Sequence, residues 1–362
     1  MLRFDDLYRL FGRINESSPN SPDGTGSNES KRRQPPIYIV GREKNLFLIA
    51  RDDKYKKKTC IEKVETNPNN NTIERSQLYV HEFLMKCVCA SLNAEKNILA
   101  FTTYRKKKED QDGLYESYLV ELEDTIGPNR FLFSGAADAT YRSIQFIHDT
   151  YSKNTSSFFF SKDKERIELY NIETKKQKNV TKIQSQPEKQ FNLVKSYLWM
   201  EWDPISSLLY FITISDQNET EVQNKIAQGA KTVDVLCEFK CRSFVDPRKP
   251  IRLSNFEFTL TITIPVESLL NRKDHYEHYP WRNGHCSPDT TLLFKVIRLS
   301  NNGICLCQQI PPSQQTPSTT VILYILHHHA KFTFNVPENH CKHRAFFSSL
   351  YDYLMVYIPG YC

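Results

Sequence analysis

A recurring unit restricts this chain more than any other feature: two short apolar strands flank a polar turn, and a further strand follows after a charged loop. The first copy runs from Ile37 to Ala50 around a Gly41-Arg42-Glu43-Lys44-Asn45 turn, with its third strand at Thr59 to Val64. The second spans Cys87 to Thr102, with Tyr115 to Leu122 as the third strand. The third begins near Ser143, continues at Ser157 to Ser161 and ends with Arg166 to Ile172. The fourth occupies Tyr197 to Thr213, then a polar loop from Ser215 to Gly229, then a strand from Thr232 to Phe239. Starts at 37, 87, 144 and 197 lie 50, 57 and 53 residues apart. A period of about 40 to 50 residues with loop insertions suits propeller blades, and no helical repeat fits as well.

Beyond residue 240 the spacing loosens, but strands are expected at Asn255 to Ile264, Thr291 to Leu299, Ile304 to Ile310, Thr319 to Leu326 and Lys331 to Val336. A last copy opens at Ala345 to Ile358, around a turn at Leu350-Tyr351-Asp352-Tyr353. The expectation is an all-β chain, a β-propeller-like array of antiparallel blades over residues 37–362 that is incomplete at its C-terminus. An open sheet edge there would be a site of association.

Composition agrees. The chain has 22 Phe and 19 Tyr against 11 Gly, which favours half-buried pleated surfaces and disfavours a phosphate-binding loop. Lys and Arg exceed Asp and Glu by 48 to 42, and a net +6 over 362 residues gives only a mild positive field. The runs at Lys56 to Lys58, Arg105 to Lys108 and Lys175-Lys176 read as solvated hairpin loops without interleaved aromatics, so no nucleic-acid partner is expected. Residues 1–14 suit a short amphipathic helix with Leu7, Leu10 and Phe11 on one side, and residues 15–36 suit a disordered linker. The first residues lack a secretory h-region and the run Val321 to Leu326 is too short to cross a bilayer, so a soluble cytosolic chain without a membrane span is expected. Ten cysteines are then reduced thiols; Cys87-x-Cys89 and Cys305-x-Cys307 have the spacing that puts both sulfurs on one face of a strand.

No catalytic, cofactor-binding or metal residue is assigned, and no binding residue is singled out. The residues that invite chemistry have bland readings. Trp199 and Trp202 are expected to pack, one in the core and one against a neighbouring blade, and Asp203 to cap the turn at Pro204. Cys237-x3-Cys241, His275-x2-His278, His285-Cys286 and His340-Cys341-x-His343 supply metal-ligand types, and a zinc protein or metal-dependent enzyme built from them is the alternative reading. Their spacings do not form the paired doublets of a closed zinc site. The run His327-His328-His329 is expected at a strand end or turn with alternate rings in solvent. Neither a nucleophile elbow nor a metalloprotease helix occurs.

Three segments, Ala90 to Ala100, Leu198 to Ile212 and Leu350 to Gly360, together resemble the N-terminal region of the gamma-secretase-activating protein (Pigeon) family. The residues that carry the resemblance are Trp199, Trp202, Asp203, Leu209, Tyr210, Ile212, Pro359 and Gly360. It implies a non-catalytic regulator that binds gamma-secretase and the membrane stub of the amyloid precursor at the trans-Golgi network and raises amyloid-β formation. The family's C-terminal activating segment has no counterpart in this sequence, and no cofactor is implied.

Overall fold

A computed structural model describes residues 37–43, 46–53, 57–66, 72–81, 83–105, 114–122, 130–135, 144–148, 155–163, 166–177, 180–184, 186–195, 197–215, 219–230, 232–244, 256–266, 293–301, 303–310, 318–336 and 345–358. The helix and linker expected over 1–36, Lys106 to Lys108, the loop at 310–317 between residues 311 and 317, and the histidines and cysteines at 275–286 and 340–343 lie outside them. The chain groups into two compact units: residues 1–137, 142–161 and 168–191, and residues 138–141, 162–167 and 192–362.

Three antiparallel sheets build the first unit. The first has β1 (Ile37–Arg42), β2 (Leu46–Asp53), β3 (Lys58–Thr66) and β4 (Ile73–His81) in sequence order. The second has β5 (Lys86–Leu92), β6 (Ile98–Arg105), β7 (Leu114–Glu121) and β8 (Arg130–Gly135), again in order. The third runs β9 (Ile144–Ile147), β10 (Thr155–Asp163), β11 (Arg166–Gln177) and β12 (Val180–Ile183), and β13 (Glu188–Lys195) also pairs with β11. The pairings within β1–β4 and β5–β8, and those of β9 with β10 and β11 with β12, are antiparallel, as short connections require.

The second unit repeats the plan. Its first sheet holds β14 (Trp199–Asp203), β15 (Leu208–Ile214), β16 (Thr232–Ser243) and β17 (Phe256–Pro265); the next holds β18 (Leu293–Arg298), β19 (Ile304–Ile310), β20 (Thr319–Ile325) and β21 (Ala330–Val336). A hairpin of β22 (Phe346–Leu350) and β23 (Tyr353–Tyr357) follows. Five up-and-down sheets in sequence order plus this hairpin make the chain all-β, a β-propeller-like array of antiparallel blades.

The expected unit of three strands is corrected to four. The missed member is the outermost strand, such as β4, in which four consecutive side chains, Glu74 to Gln77, are exposed and carry no apolar alternation to read. The inner strands are legible because both their faces are covered, which turns alternation into continuous apolar runs such as Leu208 to Ile212. Between β14–β17 and β18–β21 the core holds Tyr210, Ile212, Cys237, Phe239, Ile262, Ile264, Leu306 and Tyr324. Complete burial of one such side chain contributes about 1.5–3 kcal/mol.

Further expectations change in detail. Lys175 and Lys176 lie in β11, opposite Lys182 and Thr181, because that strand runs on past its apolar half. The polar loop at 215–229 carries a short helix, α1 (Glu219–Ala227), with Val222 turned into the core. Cys87 and Cys89 do not share a face: the register of β5 slips between them, so Cys87 joins the cluster of Leu48 and Leu92 while Cys89 joins that of Ile98 and Phe146. Cys305 and Cys307 do share one cluster.

Candidate functional site

In the first unit the polar turn expected after β1 contains a buried carboxylate. Glu43 is 3% exposed. Its Oε1 accepts from Ser91 Oγ at 2.6 Å and from the Leu92 backbone N–H at 3.0 Å, while Gln145 Nε2 lies 3.2 and 3.3 Å from its two oxygens. His148 Nε2 meets Oε2 at 2.8 Å. Ser91 Oγ in turn accepts from Phe146 N–H and Gln145 Nε2, each at 2.9 Å. Glu43 follows β1, Ser91 lies in β5 and Gln145 in β9, so the cluster joins the first strands of three consecutive sheets.

Serine, histidine and a carboxylate together suggest hydrolysis, but the connections are wrong for it. A nucleophile needs its hydroxyl on the imidazole. Here both Ser91 and His148 turn to the carboxylate, and Ser91 is fully buried. A carboxylate with this many donors is a clasp between strands. Glu62 is placed alike, buried between Arg51 and Arg75 on neighbouring strands, and Glu168 binds Tyr170 Oη and Lys189 Nζ, both at 2.6 Å.

The residues singled out in the sequence fall mostly into packing roles. Trp199 lies edge-on to Phe294 of the next sheet at 5.6 Å, and Trp202 packs edge-on to Phe244 at 5.8 Å. Asp203 Oδ1 accepts from the N–H groups of Ile205 and Ser206 at 3.0 and 3.3 Å, the expected turn cap. His327 and His328 sit in a 3-10 turn and His329 is left-handed with φ 48°; all three are exposed, so the expected alternation fails because a turn has no two-sided pleat.

Cys237 and Cys241 of β16 are buried thiols, and burial pushes both up to about 12. Among the described residues no three His, Cys, Asp or Glu side chains converge as metal ligands would. An unfolded thiol ionises near 9, so these folded values are raised. Their contribution to stability is then complete below about pH 9 and is lost as pH climbs toward 12, by at most about 1.4 kcal/mol per pH unit for each thiol. Urea unfolding between pH 8 and 11 is expected to show this decline, and the double variant Cys237→Val, Cys241→Val to make it shallower, the remainder coming from the other buried thiols Cys87, Cys89, Cys305 and Cys307.

Tyr210 stacks on Phe239 with planes 7° apart and is 1% exposed, yet its hydroxyl finds no hydrogen-bond partner among the described residues. Burial raises its pKa. A buried unsatisfied hydroxyl costs about 1–3 kcal/mol, so Tyr210→Phe is expected to leave stability unchanged or to raise it by up to about 1 kcal/mol in urea titrations.

The outer surface of the second unit is different. Of thirteen large hydrophobic side chains exposed among the described residues, eight lie between 332 and 357: Phe332, Phe334, Phe346, Leu350, Tyr351, Tyr353, Met355 and Tyr357. On the hairpin they alternate with half-buried Phe347, Leu354 and Val356, so both its faces are apolar. Its tip is held by Ser300 N–H on the Tyr351 carbonyl and by Asn301 N–H on Asp352 Oδ1. The sequence shows this strand pair but not that one of its faces stays uncovered.

No protein-family description matches the chain, and no curated protein matches it. Solved structures show distant likeness. The β-propeller domain of the Trilobed protease from Pyrococcus furiosus is 9% identical, over 91% of this chain and 79% of that one, with a TM-score of 0.35. Sqt1 from Chaetomium thermophilum is 8% identical, over 86% and 74%, with a TM-score of 0.32. Prolyl oligopeptidase B from Galerina marginata is 7% identical over 88% of this chain and 37% of its own, with a TM-score of 0.31. At that level of likeness the blades are assigned by strand order and register alone. No helix among the described residues is long and apolar enough to cross a membrane.

Proposed function

We propose that the chain is a non-catalytic protein-binding scaffold, with the gamma-secretase complex and the membrane stub of the amyloid precursor as its partners at the trans-Golgi network. The concentration of exposed aromatic side chains between Phe332 and Tyr357 carries the binding part of this reading. Such a patch on a soluble surface marks a contact site, and Tyr and Phe give large contact area for little ordering entropy. The named partners rest on the resemblance of the Trp199-to-Ile212 and Leu350-to-Gly360 segments.

The test uses the full chain, detergent-solubilised gamma-secretase and purified precursor stub. Co-elution with the complex and with the stub is expected. The double variant Phe332→Ser, Phe334→Ser is expected to weaken association at least tenfold while keeping its thermal midpoint, since both side chains are exposed. Absence of association by the wild-type chain removes the partner assignment.

A further inference from the structure

A groove in the second unit lies between the outer strand β17 and the turn that joins β20 to β21. Its volume is ≈ 250 Å³; Phe258, Leu260, Tyr324 and Leu326 line it with apolar surface, and the exposed His329 and Lys331 stand at its mouth. Its width is fixed from several sides. His327 meets the Phe258 ring edge-on at 5.4 Å, which ties the turn to β17. Gln308 Nε2 donates to the Thr263 carbonyl at 2.7 Å, and Gln308 Oε1 accepts from Tyr324 Oη at 3.2 Å, so β17, β19 and β20 are pinned to one another. The turn closes with His329 in a left-handed conformation, its N–H on the Leu326 carbonyl at 3.2 Å. A preformed cleft costs a ligand little reorganisation.

The charge at this groove is uncompensated. Lys63, Lys96, Lys189, Lys240 and Lys295 each meet a carboxylate. Lys331 meets none among the described residues; its ammonium stands 5.5 Å from the centre of the Tyr324 ring instead. Nor does an Asp or Glu occur among the described residues that line the groove. An apolar cleft with an unpaired ammonium at its mouth is complementary to a molecule with an apolar body and a terminal anion. At ≈ 250 Å³ the cleft falls short of the roughly 300–1,000 Å³ of drug-sized sites, which excludes a helix or a long peptide and suits a single ring or a short acyl chain.

We propose that this groove binds a small monocarboxylate with an aryl or short acyl body, its carboxylate on Lys331 Nζ and its apolar end against Phe258 and Leu260. The site is separate from the exposed aromatic patch. Lys331 and Thr333 stand on one face of β21, opposite Tyr324 and Ile322, whereas Phe332 and Phe334 stand on the other. Ligand binding here goes beyond the protein-binding reading and does not depend on it.

Phenylbutyrate and its uncharged amide, phenylbutyramide, are titrated separately into the full chain and followed by saturation-transfer NMR. Saturable binding of the acid is expected, with the amide weaker by about fivefold or more because it forms no ion pair. Lys331→Met keeps the length of the side chain and removes its charge, and is expected to bring the acid down to the amide's affinity at an unchanged thermal midpoint. The double variant Phe332→Ser, Phe334→Ser is expected to bind the acid as the wild type does. The assignment is overturned by an acid that does not saturate, an amide that binds as tightly, an unaffected Lys331→Met, or equal weakening in the aromatic double variant. A tripeptide ending in a free phenylalanine carboxylate is expected to bind no tighter than the acid; tighter binding gives the groove to a protein chain end and removes the small-molecule assignment.

Discussion

Glu43→Ala is expected to destabilise the first unit by about 2–5 kcal/mol, the range for leaving two or more buried donors without their acceptor. The loss exceeds one hydrogen bond because Ser91 Oγ, Leu92 N–H, Gln145 Nε2 and His148 Nε2 all converge on this one carboxylate. Alanine removes the acceptor of the Ser91 hydroxyl and of the Leu92 N–H, whereas Gln145 Nε2 keeps Ser91 Oγ and the Phe146 carbonyl, and each group left unsatisfied costs about 1–3 kcal/mol. Glu43→Gln keeps the volume but presents an amide N–H₂ to groups that are themselves donors, so an intermediate loss is expected. Fluorescence is the wrong probe, since Trp199, Trp202 and Trp281 are all far along the chain from this unit. Amide hydrogen exchange in β5 and β9 checks it, and protection in those strands unchanged from wild type would refute the clasp.

Gly41→Ala is expected to cost about 3 kcal/mol or more. A Cβ at Gly41 would lie 2.0 Å from the Ala90 carbonyl oxygen and 3.1 Å from Leu48 Cδ1. The obstacle is the backbone of the facing strand, so relief requires β1 and β5 to separate, the expensive form of overpacking. Gly41 also sits at the register shift of β1 against β2, where the chain kinks toward its neighbour. Gly303→Ala is the control: its Cβ would meet Asn301 Oδ1 at 2.8 Å, the end of an exposed side chain that can swing aside, and a loss below about 1 kcal/mol is expected. Equal urea midpoints for the two variants would contradict the close approach at Gly41.

The sequence made the repeat legible because buried inner strands write continuous apolar runs, and β1, β5, β9 and β14 begin within two residues of their expected places. Strands such as β4 stayed hidden, since an outer strand facing water needs no apolar pattern. The Glu43 clasp was illegible for the opposite reason. Glycine, charge and asparagine in five residues read as a solvated turn, and only the arrival of β5 and β9 against it turns one acid inward. Sequence spacing put Cys87 and Cys89 together because alternation counts residues, and a bulge breaks that count. The aromatic surface at 332–357 was present as strand chemistry, whereas its exposure depends on how many strands cover the sheet below.

The slip in β5 bears on how the first unit comes apart. One seven-residue strand sends Cys87, Ala90 and Leu92 into one hydrophobic cluster and Cys89 into another, the second shared with β9, β10 and β11. Melting β5 strips side chains from both clusters at once, so neither neighbouring sheet can open alone without losing part of its own interior. A change of parity within one short strand thereby joins three sheets into a single cooperative block, whose amides should exchange with one common free energy.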